Sequence, residues 1–166
     1  MATEAWMRGP LAGYATELQP VAHSLVQARE ELQQILGDVD VDRLHARVGV
    51  AATAAFHIRH MAGSLDRLLT YARGAMLTDE QLAARATESV HDNADADALR
   101  AVALESIDAA LRQVRETDPR TLADPREVGR KRLPSTVGGL LFHAAEHTAR
   151  HVGQLRTTLR MLGRDV

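Results

Sequence analysis

The stretch LLFHAAEHTARHVGQLRTTLRML, residues 140–162, has the periodicity of one long amphipathic helix. Its apolar side chains recur at steps of three and four residues, which places them on one helical face. We expect the helix to begin near Pro134 to Thr136 and to end near Leu162, and Gly138 and Gly139 let another backbone come close to its start. The predicted buried face comprises Val137, Leu140, Leu141, Ala144, Thr148, Leu155, Leu159 and Leu162.

The same periodicity occurs in three earlier parts of the chain. It predicts helices over about residues 14–36, 51–73 and 94–116. Pro20 lies inside the first of these and is an alternative start, because proline suits the first helical turn. The TDEQ motif at 78–81 has capping-box spacing, with Thr78 as N-cap and Gln81 reaching back, so it predicts a short helix to about Ala86.

These segments predict an all-α fold for the chain. Four amphipathic helices with short and medium connections indicate an antiparallel four-helix bundle, with a short extra helix between helices 2 and 3. The length of 166 residues fits one domain, residues 1–166. No alternating run is long enough to argue for a sheet. We interpret residues 37–50 as a polar loop with room for one helical turn, and residues 117–134 as a loop. The second loop has two Asp-Pro pairs, which discourage helix, and the basic cluster Arg130 to Arg132.

Composition and charge exclude several classes of function. The formal net charge is -2, whereas nucleic-acid-binding proteins are usually basic, so we expect no nucleic-acid partner. The chain has no cysteine, which excludes disulfides, thiolate metal sites and a protein thiol nucleophile. No apolar run suits a signal peptide or a membrane span. We therefore expect a cytoplasmic protein without membrane association.

Three histidines stand four residues apart in the last helix, at His143, His147 and His151. Positions four apart lie nearly above one another on a helix, so two imidazoles at this spacing can reach one metal ion. On a helical wheel His151 falls within the apolar face, His147 at its edge and His143 toward the rim. An unpaired imidazole facing the core is costly. Either ordinary hydrogen bonds inside the bundle or a metal would satisfy these rings.

A third ligand from another helix would favour the metal. The second helix offers His57 and His60, which share a stripe with Ser64 and Arg67 beside the apolar face. The wheel places His57 nearer the core than His60. Geometry alone does not choose between these two histidines.

The segment HIRHMAGSLDRLL, residues 57–69, together with residues 140–162, resembles the DinB/YfiT-like superfamily of bacterial helical metalloproteins. Members carry a histidine just before a small-residue stretch on helix 2 and an HxxxH pair followed by Gly-Gln on the last helix. By position, the resemblance implies that His60, His147 and His151 are the metal ligands. His57 and His143 then become pocket residues or alternate ligands.

One position departs from the family pattern. The arginine that usually follows the last histidine is replaced by Val152, and Arg150 precedes His151 instead. The ligands are unaffected by this change. It puts in doubt any supporting role assumed for that arginine.

The resemblance implies a metal-dependent chemistry. Three imidazoles suit a divalent transition metal such as zinc, nickel or iron, and three protein ligands leave a position for substrate. Relatives include S-transferases that use bacillithiol, mycothiol or glutathione. We therefore expect a low-molecular-weight thiol as cosubstrate, transferred to an electrophile, which fits the lack of cysteine. Arg67, Arg150 or the Arg130–Arg132 loop would hold the carboxylates of the thiol.

Two alternatives stay open at this point. One is a metal-dependent hydrolase that activates water, for which Glu146 and Asp66 are the nearest acids in sequence, although both project away from the apolar faces. The other is a non-catalytic, stress-related bundle that binds metal. A homodimer is also expected, because relatives pair through helix faces and Met61 and Leu68 widen the apolar sector of the second helix.

Overall fold

The computed structural model describes residues 3–37, 39–90 and 94–163. Helices dominate this part of the chain, as predicted. The six α-helices are α1 (Gln19–Ile35), α2 (Val41–His45), α3 (Ala54–Ala72), α4 (Asp79–Thr87), α5 (Ala96–Glu116) and α6 (Val137–Met161). Within these described ranges, no helix combines the length and the apolar character that crossing a membrane requires.

The four long helices enclose one contiguous hydrophobic core. Helices α1 and α3 each pack against both α5 and α6. Buried positions recur at steps of three and four along each helix, as an apolar stripe requires. On α6 they include all but one of the predicted core positions, and the largest fully buried side chains of the chain include Leu18, Leu25, Leu32, Ile35, Ile58, Leu65, Ile107, Leu141 and Leu155.

Short polar side chains set where the long helices begin. Thr53, Asp95 and Thr136 each occupy an N-cap and accept a hydrogen bond from a backbone N–H in the first turn of α3, α5 and α6. Helix α1 begins at Gln19 with Pro20 in its first turn, after a 3₁₀ turn. The alternative start at Pro20 is therefore nearer the structure than a start at residue 14.

Helix α4 is the predicted short extra helix, and it packs against α3. Thr78 and Gln81 form the capping box at its start. The Gln81 Nε2 also donates to Asp66 Oδ2 at 2.7 Å and to Thr70 Oγ1 at 2.8 Å on α3. Seven residues later Glu88, the C-cap of α4, contacts the earlier part of α3. Helix α4 therefore runs antiparallel to α3 and carries Glu88 toward its N-terminal half.

The segment 117–134 was predicted as a loop, and this prediction is wrong in part. Strands β1 (Pro125–Val128) and β2 (Leu133–Thr136) form an antiparallel hairpin, with Val128 opposite Leu133. The left-handed φ angles of Gly129 and Arg132 close the turn, so the basic cluster forms the hairpin tip. A strand of four residues is too short to show alternation, which is why the sequence pattern missed it.

The predicted close approach at Gly138 is confirmed. Its backbone N–H donates to the carbonyl of Leu122 at 2.9 Å, and a Cβ at this position would lie 3.1 Å from that oxygen. The segment that leads into the hairpin therefore packs directly on the first turn of α6.

Candidate metal centre

Helices α3 and α6 bring three histidines to one place. His60 comes from α3, and His147 and His151 come from successive turns of α6. One ring nitrogen from each lies within 4.8 Å of the others. The rings of His147 and His151 have centroids 4.4 Å apart, as their four-residue spacing predicts.

The ring of His60 is held on two sides. Phe56 stacks on it at 5.2 Å between centroids, with the ring planes 8° apart. Its Nδ1 lies 2.7 Å from Glu88 Oε2. On the side of α6, its centroid is 4.8 Å from that of His151 and 5.2 Å from that of His147. Since Nδ1 is engaged by Glu88, the nitrogen left for a metal is Nε2.

His57 lies beside this cluster and deeper in the protein. The prediction that it is nearer the core than His60 is confirmed, because His57 is buried and the side chain of His60 is 27% exposed. The Nδ1 atoms of His57 and His151 are 3.1 Å apart, so one of them donates to the other. This contact orients the ring of His151 and leaves its Nε2 for a ligand.

His143 lies at the outer end of the ladder. Its side chain is half exposed, and its Nδ1 is 3.5 Å from a carboxylate oxygen of Glu146. Its ring contacts that of His147 at 5.4 Å between centroids. The wheel predicted this order from His151 inward to His143 outward, and the burial of the three rings confirms it.

Burial controls the charge state of the rings on α6. Desolvation lowers the pKa of His147 to about 4, and the neighbouring His60 and His143 add to the shift. Desolvation lowers the pKa of His151 to about 3, reinforced by His147, His60 and His57. Both rings are therefore neutral near pH 7, which is the form that binds a metal.

The donor set fits a divalent transition metal. The set consists of imidazole nitrogens from His60 on α3 and from His147 and His151 on α6, and it contains no carboxylate. Imidazoles suit zinc, nickel and iron alike. Outer contacts also exist, because Glu88 and His57 engage the second nitrogen of two of the rings, as is usual around metal-binding histidines.

The predicted arginines hold carboxylates of the chain itself. Arg67 is buried and donates to Glu88 Oε1 at 2.5 Å. Arg150 is half exposed and pairs with Glu146 on α6. Their role toward a thiol stays a prediction.

The basic cluster 130–132 lies far from the histidines. The hairpin that carries it contacts the C-terminal end of α3, where Arg126 Nε donates to the carbonyl of Ala72 at 2.8 Å. Ala72 is twelve residues beyond His60, which is about 18 Å along a helix. The position of the hairpin tip therefore does not support a contact with a small ligand at the histidines.

The sequence reasoning missed Glu88. The sequence predicts a short helix that ends near Ala86 and assigns no role to Glu88, yet Glu88 is 8% exposed and bonded to His60 and Arg67. The capping box at Thr78 located the start of α4, but only the docking of α4 on α3 brings its end to the histidines. No spacing along the sequence carries that information.

Long packed helices with three histidines shared between two of them define a helical protein with a candidate metal centre. A comparison with protein families matches residues 24–155 to the DinB superfamily, and the chain belongs to that superfamily. The matched region contains all three histidines. No curated protein matches the chain.

We expect the metal-free protein to lose stability on acidification because of these rings. Between pH 7 and pH 5 the unfolded chain protonates its histidines near pH 6.5, while folded His147 and His151 stay neutral. The unfolded state then binds more protons, so the free energy of unfolding falls as pH falls. Each ring contributes at most about 1.4 kcal/mol per pH unit, less where solvent screens a partly exposed ring.

Urea unfolding of the metal-free protein at several pH values checks this expectation. The His147→Gln variant should lose less stability than the wild type between pH 7 and pH 5. The His23→Gln variant changes a histidine of α1 whose ring nitrogen bonds the carbonyl of Gly9, and it should follow the wild type. Parallel curves for wild type and His147→Gln would show that burial does not lower the pKa of His147.

Proposed function

We propose that this chain is a metal-dependent S-transferase that joins a low-molecular-weight thiol to an electrophile. The observation that carries the proposal is the cluster of His60, His147 and His151, whose ligand nitrogens lie within 4.8 Å of one another. When bound there, a divalent metal supplies a Lewis acid that favours the deprotonated form of a thiol near neutral pH. Three protein ligands leave room for one more donor.

A cavity that shares Phe56 and Glu88 with the surroundings of His60, although none of the three histidines lines it, supports binding of a small cosubstrate. Its volume is about 400 Å³, within the range of small-molecule sites. Phe56 and Glu88, which both contact His60, form part of its wall. Arg47 and Arg59 also line it, and guanidinium groups suit the carboxylates of thiols such as bacillithiol, mycothiol or glutathione. In this proposal the arginines orient the thiol and the histidines hold the metal.

The proposal retains Arg67 and Arg150 as candidate contacts for the thiol. Arg150 supports the idea better, because its guanidinium is half exposed and belongs to the same turn of α6 as His151. Arg67 would first have to release Glu88. Arg150→Ala should therefore raise the KM for the thiol more than it lowers kcat, if Arg150 contacts the thiol.

Other parts of the expected picture also belong to this proposal. We propose that the long helices form an antiparallel four-helix bundle as a single domain, which the packing of α1 and α3 against both α5 and α6 supports. We also propose that the protein is cytoplasmic, has no nucleic-acid partner and forms a homodimer. Met61 is fully buried in the core, so a dimer contact on α3 would use Leu68 instead.

The hydrolase alternative gains little support from the predicted acids. Asp66 accepts a hydrogen bond from Gln81, and Glu146 is paired with Arg150. Both carboxylates are thus engaged outside the histidine cluster. Only a measurement of turnover distinguishes a non-catalytic metal-binding bundle from the transferase.

Metal content and thiol transfer together test the function. Untagged protein should carry about one equivalent of a transition metal by elemental mass spectrometry. It should conjugate bacillithiol, mycothiol or glutathione to a generic electrophile, and His60→Ala should lose that turnover with its fold intact. If the protein binds metal but transfers none of the three thiols, the result would favour the alternative of a non-catalytic metal-binding bundle. No metal after incubation with zinc and nickel would refute the metalloenzyme.

A further inference from the structure

A buried carboxylate stands behind the histidine cluster. Glu88, at the end of α4, is 8% exposed and uses its two oxygens on different partners. Its Oε2 lies 2.7 Å from His60 Nδ1, and its Oε1 accepts from Arg67 Nη1 at 2.5 Å. A buried carboxylate needs such compensation, and Arg67, itself 8% exposed, provides the opposite charge.

Gly63 makes room for this carboxylate on α3. A Cβ added at Gly63 would lie 2.5 Å from Glu88 Oε1 and 2.8 Å from Arg67 Nη1, both too short for real contacts. His60, Gly63 and Arg67 follow one another at steps of three and four, so they share one stripe of the helix. The carboxylate therefore rests directly on the backbone of α3, between the two side chains that it contacts.

The contact with Glu88 decides which nitrogen of His60 carries its proton. A carboxylate accepts hydrogen bonds only, so His60 donates from Nδ1. The lone pair of the neutral ring then lies on Nε2. With Nδ1 directed to α4 and Phe56 stacked on one ring face, Nε2 is the nitrogen available to the rings of His147 and His151.

We propose that Glu88, held by Arg67 in the space left by Gly63, is a positioning residue that fixes the Nδ1–H tautomer and the orientation of His60 for metal binding. The proposal rests on the proposed function only in assuming a metal at the three histidines. The tautomer and the orientation of His60 are properties of the metal-free protein. Such outer contacts commonly change metal affinity by about 10- to 100-fold.

The first test removes the carboxylate without leaving an unpaired charge. The double variant Arg67→Met with Glu88→Met should bind zinc about 10- to 100-fold more weakly than the wild type in competition with a chromophoric chelator. The matched control is Arg29→Met with Asp108→Leu, which removes another ion pair, between α1 and α5, and should bind zinc like the wild type. Circular dichroism checks that both variants remain folded.

The second test displaces the carboxylate while keeping it in the chain. Gly63→Ala pushes against only the flexible tips of Glu88 and Arg67, so we expect α3 to persist and zinc binding to weaken in the same direction. Gly153→Ala is the control, because a Cβ there meets no atom within 4 Å. Equal zinc affinity in these two alanine variants would count against the proposal.

A spectroscopic readout separates positioning from a structural role. Nitrogen-15 shifts of His60 in the metal-free wild type should report the Nδ1–H tautomer, and the double variant should shift toward Nε2–H. A wild-type His60 in the Nε2–H form, or a tautomer unchanged in the double variant, would overturn the proposal. This readout needs no metal and no turnover, so failure of the proposed function leaves it interpretable.

Discussion

Alanine at His60, His147 or His151 is expected to weaken zinc binding by more than about 100-fold. Structural zinc sites gain roughly 10–16 kcal/mol from four ligands, or several kcal/mol for each. Since about 1.4 kcal/mol is tenfold in affinity, losing one ligand of three removes roughly two to three orders of magnitude. Chelator competition with zinc, on each purified variant, measures the effect. The three variants should be equivalent, because the three nitrogens converge on one position.

The two histidines beside the cluster, His57 and His143, serve for comparison. His57→Ala should weaken zinc binding by about 10- to 100-fold, less than the loss of a ligand, because His57 engages the second nitrogen of His151. His143→Ala should bind zinc like the wild type, since its half-exposed ring lies at the outer end of the ladder. A loss at His57 as large as that at His60 would make His57 the ligand from α3. Thermal unfolding of each variant excludes loss of fold as the cause.

Truncation of Leu141 to alanine is expected to lower the free energy of unfolding by roughly 3–5 kcal/mol. Leu141 is 1% exposed and belongs to the core face of α6. Its removal loses the burial of its apolar surface and leaves a cavity. The total stability of such a domain is about 5–15 kcal/mol, so this one change consumes a large part of it. Urea unfolding monitored by circular dichroism gives the value.

The neighbouring residue provides a sharp control. Phe142 is larger than Leu141 but 64% exposed. Phe142→Ala should change the free energy of unfolding by less than about 0.5 kcal/mol, as surface substitutions usually do. A large loss at Phe142 with none at Leu141 would mean that α6 turns a different face to the core.

The helices of this protein can be predicted from local sequence patterns. Apolar residues at steps of three and four placed α1, α3, α5 and α6 within five residues of their observed ends. Thr78 and Gln81 located the start of α4 because a capping box is made by residues three apart. The sequence pattern did not predict the hairpin of Pro125–Val128 and Leu133–Thr136, because the pairing of two short strands across a turn leaves no periodicity in the sequence.

The histidine site could likewise be predicted only in part. The four-residue spacing of His147 and His151 predicted neighbouring rings, since it follows from the pitch of one helix. The partner from α3 did not follow from geometry, because the wheel favoured His57. The structure brings His60 into the three-nitrogen group, while Nδ1 of His57 faces Nδ1 of His151. Which of the two rings reaches the others depends on how α3 and α6 pack.

Local sequence patterns were enough to predict the helical fold, the extra helix α4 and the pair of rings on α6, because each depends on residues a few positions apart. The contact of Glu88 with His60 and its ion pair with Arg67 arise from the packing of α4 on α3. These contacts join residues 21 and 28 positions apart, across two helices that meet at Gly63. The buried charge and the orientation of His60 are therefore properties of helix packing, which no local pattern encodes.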